Sequence, residues 1–327
     1  MVALYNRGGW ITPAQIVNIT VNQQAAGIME SPDGGQLLAI VPDTSPTHAG
    51  QLIRIDPETG TVSPLAALGQ PTSMVAASDK GSLYLGSRWS RRVRRLSWPG
   101  LVETAAFDVP SGGVETLLAV PGLPGSILVG QSTLFGPQDV VIYDGGSGRA
   151  KHGAVYGSRD CLALDESGGR LYALDNGLSS FELTAYAVDT DGLTQLGRSQ
   201  TLTVGFGTGL AAWGGHIYTS NGLVVDADTY ATLPKRIPAA SDSQILLDPP
   251  NNRIYFVGSS GQYGTAYLMV YELASLNQVG ALVLHGVRNL PLRIARWGRN
   301  GLAVVQDAAY GNDPGMYIFR TDLVRPF

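Results

Sequence analysis

One pattern of apolar and polar positions recurs seven times along the chain. A short apolar stretch, a turn rich in Asp, Gly, Pro or Asn, and a second apolar stretch make up each copy. The copies are "GIMESPDGGQLLAIV", "MVAASDKGSLYLGS", "LLAVPGLPGSILVG", "CLALDESGGRLYALD", "GLAAWGGHIYTS", "ILLDPPNNRIYFVG" and "IARWGRNGLAVVQ". Each predicts two strands joined by a tight turn. A third strand follows as "QLIRID", "VRRLS", "VVIYD", "TAYAVD", "GLVVD", "LMVYE" or "MYIFR". A weaker fourth comes next, as in "TVSPLAAL", "VETAAFDV", "LTQLGRSQTLTV" and "NQVGALVL". The strand residues are largely β-branched or aromatic, and no 3.6-residue period persists, so helices are not expected.

The spacing turns the repeat into an architecture. With Leu38, Tyr84, Leu128, Tyr172, Tyr218, Tyr255 and Ala303 as equivalents, the gaps are 46, 44, 44, 46, 37 and 48 residues. Four strands in a repeat of this length is the signature of a propeller blade. The predicted fold is therefore all-β, a seven-bladed β-propeller with four-stranded blades, as a single domain over 1–327. Two stacked β-sandwiches are the alternative, but a sandwich has no reason to repeat one unit seven times. The last copy (289–323) stops three strands in, and "AQIVNITVN" at 14–22 offers the missing one. That N-terminal strand is expected to complete the last blade and close the ring, removing a long exposed edge.

Composition narrows the functional classes. Charged residues make up 15% of the chain and the formal net charge is −4, which argues against the broad basic surface that nucleic acid requires. The single cysteine, Cys161, sits in the apolar run "RDCLALD" and reads as core packing rather than a reactive thiol. No apolar run reaches the length of a membrane-spanning helix. The start, "MVALYNRGGW", lacks the pattern of a signal peptide.

The blades carry a resemblance. "LMVYELASLNQVGALVLHGV", "RIARWGRNGLAVV", "MYIFRTDLV" and "ILLDPPNNRIYFVG" resemble the closing blades of YVTN/NHL-like propeller domains of bacterial secreted or surface proteins. "VRRLSW" and "SRDCLALDESGGRLYALDN" fit more loosely, so the resemblance spans most of the chain. It implies an extracellular or cell-surface binding or display domain, with the cytoplasm as the alternative location. Its motifs are structural, and it brings no catalytic residues.

The residues themselves show no catalytic constellation. The four histidines, His48, His152, His216 and His285, lack a second ligand at metal-binding spacing. "GGSGRAKHG" and "GFGTGLAAWGG" precede no helix and read as turns, not phosphate cradles. Third strands end in Asp56, Asp144, Asp189, Asp226 and Glu272. A catalytic acid should be unique, so these are expected to cap turns by accepting backbone N–H groups two residues on.

Loop length is one-sided. The second-to-third strand loops "PDTSPTHAG", "SRWSRR", "QSTLFGPQ", "NGLSSFE", "SSGQYGTA" and "DAAYGNDPG" are long, varied and aromatic, whereas the opposite turns are short. Function concentrates on such loops of a rigid scaffold. Candidate binding residues are His48, Arg88, Trp89, Phe135, Tyr263, Asp307 and Tyr310, with a protein or glycan as partner. No catalytic residue, metal ligand or cofactor is expected, a structural or channel-bound calcium ion being the one alternative. Two other readings stay open. One is a lactonase-like hydrolase with a metal at the channel mouth, drawing on Asp43, Asp160, Asp175, Asn176, Asn221, Asp242 and Asp307. The other is a structural spacer in a multidomain surface protein.

The densest charge run, "SRWSRRVRRLSW" at 87–98, divides under the repeat. Val93–Ser97 is the predicted third strand of blade two, leaving Arg88, Trp89, Arg91 and Arg92 in the loop. Arg94 falls where blade one has Ile53. It is expected to pair with a neighbouring blade's acid or extend its charge to solvent.

Overall fold

In the computed structural model, the described residues are 4–6, 9–11, 16–69, 74–78, 81–110, 112–132, 136–157, 160–239, 243–259, 266–285, 287, 291–306 and 315–325. They form seven antiparallel sheets in sequence order and one short hairpin, Leu4–Asn6 with Gly9–Ile11. The sole helical turn among them is Pro249–Asn251. The fold is an all-β, seven-bladed propeller.

Contacts divide the chain into two compact units. The first, residues 1–65 and 237–327, holds three sheets. Blade one is Gly27–Glu30, Leu37–Ile40, Gln51–Ile55 and Val62–Ala67, whose last strand ends at the unit boundary. Blade six is Gln244–Asp248, Arg253–Ser259, Ala266–Glu272 and Gln278–Leu284. Blade seven is Pro291–Trp297, Gly301–Gln306 and Met316–Thr321, completed by the N-terminal strand Ile16–Val21. That strand pairs antiparallel with Met316–Thr321 from Ile16 opposite Thr321 to Val21 opposite Met316.

The second unit, residues 66–236, holds blades two to five. Blade two is Met74–Ser78, Ser82–Ser87, Ser90–Ser97 and Glu103–Asp108. Blade four is Leu162–Leu164, Arg170–Leu174, Leu183–Asp189 and Gly192–Arg198. Blade three begins with Val114–Ala119, Ser126–Gln131 and Gln138–Asp144, but its outer strand is split into Ser147–Gly148 and Gly153–Val155. "GGSGRAKHG" is therefore part strand, contrary to the turn expected. Blade five has only three strands, Leu210–Trp213, His216–Thr219 and Val224–Asp226. Its fourth is reduced to a single bridge between Val225 and Thr232. Pro234 and Pro238 follow, and proline cannot donate to a ladder.

Within each unit, the first strands of successive sheets pack against one another, as propeller blades do. Middle strands such as Ser82–Ser87, Ser126–Gln131 and Gly301–Gln306 are buried along their whole length. They are covered on both faces, which is why the sequence shows apolar runs there rather than alternation. The outer strand Gln278–Leu284 does alternate. The apolar clusters lie between neighbouring sheets. Leu37, Ile53, Ile55, Val305 and Ile318 join blades one and seven, and Leu128, Ile142, Cys161, Leu171 and Tyr186 join three and four.

The acids ending the third strands take the turn role in three blades. Asp56 Oδ1 accepts the Glu58 N–H at 2.8 Å, Asp189 Oδ1 that of Asp191 at 2.8 Å, and Asp226 Oδ1 that of Asp228 at 3.1 Å. Asp144 departs from this, accepting from Ser126 Oγ and pairing with Arg149 at 2.7 Å. Glu272, one methylene longer, accepts from the Ser275 hydroxyl.

Candidate binding surface

In the second unit, the second-to-third strand loops lie at one end of the sheets and the first-to-second hairpin turns at the other. At the loop end of blade two, the charged run is tighter than the sequence suggests. Ser90 pairs directly with Ser87, so only Arg88 and Trp89 form the turn, and Arg91 and Arg92 lie in the strand. The expected loop placement of those two arginines is wrong because the hairpin closes in two residues.

Each arginine of the run has an intramolecular partner. Arg88 Nε meets Glu115 at 2.9 Å, Arg91 Nη1 donates to the Pro110 carbonyl at 3.2 Å, and Arg92 meets Asp108 at 3.3 Å. Arg94 Nε donates to Glu103 at 2.6 Å and its Nη1 to the Leu68 carbonyl at 2.9 Å. Its acid therefore comes from the outer strand of its own blade, not from a neighbour. Arg95 Nε donates to Ser82 Oγ at 2.9 Å, with the guanidinium 5.6 Å from the centroid of the Tyr84 ring. Three of the five arginines, Arg88, Arg92 and Arg94, are paired with carboxylates, which weakens the electrostatic basis for a phosphate-binding stripe.

What this turn presents is Trp89, 79% exposed. Its base is fixed. Ser87 Oγ accepts the Trp89 N–H at 3.2 Å, and Arg88 is anchored by Glu115, the bulged residue of the next blade's first strand. Gly113 lies so close that a Cβ there would fall on the Arg88 carbonyl.

A second exposed surface gathers at the loop end of blade four. Phe206 is 70% exposed, and Tyr156 and Leu178 are 42% exposed. Phe181 meets Phe206 edge-on at 5.2 Å. Backbone hydrogen bonds tie the loops together: Gly177 N–H to Tyr156 O at 2.9 Å, Phe181 N–H to Leu178 O at 3.4 Å, and Gly207 N–H to Asn176 O at 3.1 Å. Underneath, Asn176 is buried and donates to the Thr208 carbonyl at 2.8 Å. Asp175 accepts the Tyr156 N–H at 2.9 Å, while burial pushes its carboxyl above the usual range. Exposed apolar groups on a fixed backbone mark interaction surfaces.

Sequence reasoning missed Phe206, Tyr156 and Leu178. Their neighbours "AVYGS", "DNGLSS" and "GFGTG" carry single apolar residues among turn formers, and only the fold brings them together. Of the predicted contacts, Arg88 and Trp89 share the blade-two turn. His48 is half-buried, and its Nδ1 is 2.8 Å from Gln23 Oε1, in a loop organised around that buried glutamine. Phe135, Tyr263, Asp307 and Tyr310 lie outside the described residues, as does Asp242. Asn221 is bound locally, accepting from Thr219 Oγ1 at 2.6 Å. Among the described residues, no group of three or more His, Cys, Asp or Glu is placed to hold a metal ion. No helix among them is long and apolar enough to cross a membrane. Cys161 is fully buried and its thiol is pushed up to about 12 by burial, as a core cysteine should be.

No protein-family model matches the chain, and no curated protein does. Solved structures do. A chain in "Crystal Structure of Mitotic Checkpoint Complex" matches with a TM-score of 0.63 at 15% identity, over 95% of this chain and 94% of that one. At that identity the likeness carries the fold, and the fold alone.

Proposed function

We propose that the protein is a non-catalytic binding module that engages a protein partner through the loop end of its second unit. The carrying observation is the exposed group Tyr156, Leu178 and Phe206, with half-buried Phe181 edge-on against Phe206, held on mutually hydrogen-bonded loops. An aliphatic side chain among aromatic rings suits apolar protein side chains better than sugar hydroxyls, which need polar groups around the ring. Trp89, rigidly based on the same end of blade two, is a further contact. The structural neighbour is a chain of a mitotic checkpoint complex, in keeping with this reading. An extracellular or cell-surface setting and kinship with YVTN/NHL-like propellers accompany it, supported by the blade motifs.

The test is to pan a displayed random-peptide library on the protein, and to probe a glycan array in parallel. Enriched peptides should carry aromatic or aliphatic anchors and lose at least about ten-fold in affinity to the Phe206→Ser, Leu178→Ser double variant. Peptides that bind the variant equally well, or array glycans that compete for the same surface, would overturn the reading.

A further inference from the structure

A different cleft opens at the other end of the second unit, among the short hairpin turns of blades four and five. It spans about 330 Å³, open solvent included, and is lined by Asp165, Glu166, Arg170, Tyr172, Trp213 and His216, among others. Its walls are fixed by the turns. Gly214 and Gly215 both take positive φ, 61° and 73°, closing a two-residue turn between Trp213 and His216, which pair across the hairpin. The Glu166 carboxylate accepts the Gly214 N–H at 3.2 Å and so ties the blade-four turn to the blade-five turn. His216 Nδ1 lies 3.0 Å from the Gly214 carbonyl, which sets the imidazole plane. Tyr172 is almost wholly buried, whereas Trp213 is 37% exposed.

The charges in this cleft do not cancel. Arg170 is matched by Asp228, with Nη1 2.5 Å from Oδ1, and donates also to the Ala227 carbonyl at 3.3 Å. That leaves Asp165 and Glu166. Asp165 accepts from Ser167 Oγ and from the Arg170 N–H, neutral donors that leave its charge in place. Glu166 bonds only a backbone amide among the contacts described. Two carboxylates therefore stand beside an exposed indole, complementary to a cation with a flat face. Guanidinium fits this best, since it stacks on tryptophan and takes carboxylates through its fork of donors.

We propose that this cleft is a second binding site, specific for a basic side chain, arginine above all, presented by an extended segment of a partner protein. It is independent of the apolar surface at the opposite end of the sheets. The test uses the protein labelled with 5-fluorotryptophan, whose five tryptophans give separable fluorine resonances, with Trp213 assigned by Trp213→Phe. Gly-Arg-Gly amide should shift the Trp213 signal saturably, with an affinity in the millimolar range. Its neutral isostere, Gly-citrulline-Gly amide, should not. Glu166→Gln keeps an acceptor for the Gly214 N–H and removes only the charge. It should weaken the arginine peptide by about ten-fold, read on the same Trp213 signal. The Phe206→Ser variant should bind the peptide unchanged, so this site and the apolar surface stand or fall separately. Equal shifts from the citrulline peptide, full affinity in Glu166→Gln, or a Trp213 response to an oligosaccharide but not to the arginine peptide would each overturn the proposal.

Discussion

Trp89 and Gly113 flank the same turn, yet they should respond in opposite ways to substitution. Trp89 is mostly in water, so Trp89→Ala should change stability by less than about 0.5 kcal/mol, and its effect should appear in binding alone. Gly113→Ala places a methyl group on the Arg88 carbonyl. Backbone cannot yield as a side-chain tip can, so this change should cost about 2 kcal/mol or more in urea unfolding. A Gly113→Ala variant as stable as the parent would show that the turn is not braced from blade three. The sequence exposed Trp89 readily, because an aromatic among arginines stands out. It did not reveal the brace, because a glycine in "SGGVE" reads as any other turn residue.

Ion pairs inside the sheets act on whole elements. Asp248 ends the first strand of blade six and Arg296 lies in the first strand of blade seven, 2.6 Å apart and both largely buried. Tyr255 Oη donates to the same Asp248 carboxylate at 2.9 Å, and Arg296 also binds the carbonyls of Gly298, Gly301 and Arg299 around its own hairpin turn. Asp248→Ala would strand a guanidinium between two blades and should cost about 3 kcal/mol. Tyr255→Phe should cost about 1 kcal/mol. Because the two share a partner, the double variant should lose less than the sum of the single losses, which urea unfolding of the four proteins will measure. The blades themselves were legible because each repeat restates the same apolar pair around a turn. The irregular outer strands were not. That of blade three breaks at residues 149–152, where Lys151 bridges to Gly192 of blade four, prolines erode that of blade five, and in neither place does apolar patterning mark the break.

At the scale of the molecule, the buried acidic groups set the alkaline limit. Burial pushes the Cys161 thiol up to about 12 from 9.0, and the Tyr218 and Tyr271 hydroxyls up to about 12 from 10.0. In each case the folded protein keeps a proton that the unfolded chain releases, so stability falls as pH rises once the unfolded value is passed. The contribution is intact below about pH 9, and the thermal midpoint should drop progressively between pH 9 and 12. Cys161→Ala should delay the onset towards pH 10, where the tyrosines take over. A midpoint that stays level across this range would refute the assignment. The candidate surfaces were half legible. Long loops drew attention to the end of blade two that presents Trp89, but the cleft beside Trp213 lies among short turns, which the one-sided loop argument discounts. The signal was present in "LDESGG" and "AAWGGH", two hairpin turns that carry acids and a tryptophan where glycine alone would suffice.

The pairing of Ile16 with Thr321 has a consequence for engineering. Two residues 305 positions apart in the chain sit directly across one ladder, about 5 Å between Cα atoms. A circular permutant that keeps the buried Leu323 and Val324 and splices the chain just after them to a point just before Ile16 therefore needs only a short linker. New termini could then be opened in an exposed turn such as Asp56–Gly60, with the ladder itself undisturbed. By the same geometry, two cargoes fused at those positions would emerge side by side from one sheet edge, close enough to act on each other.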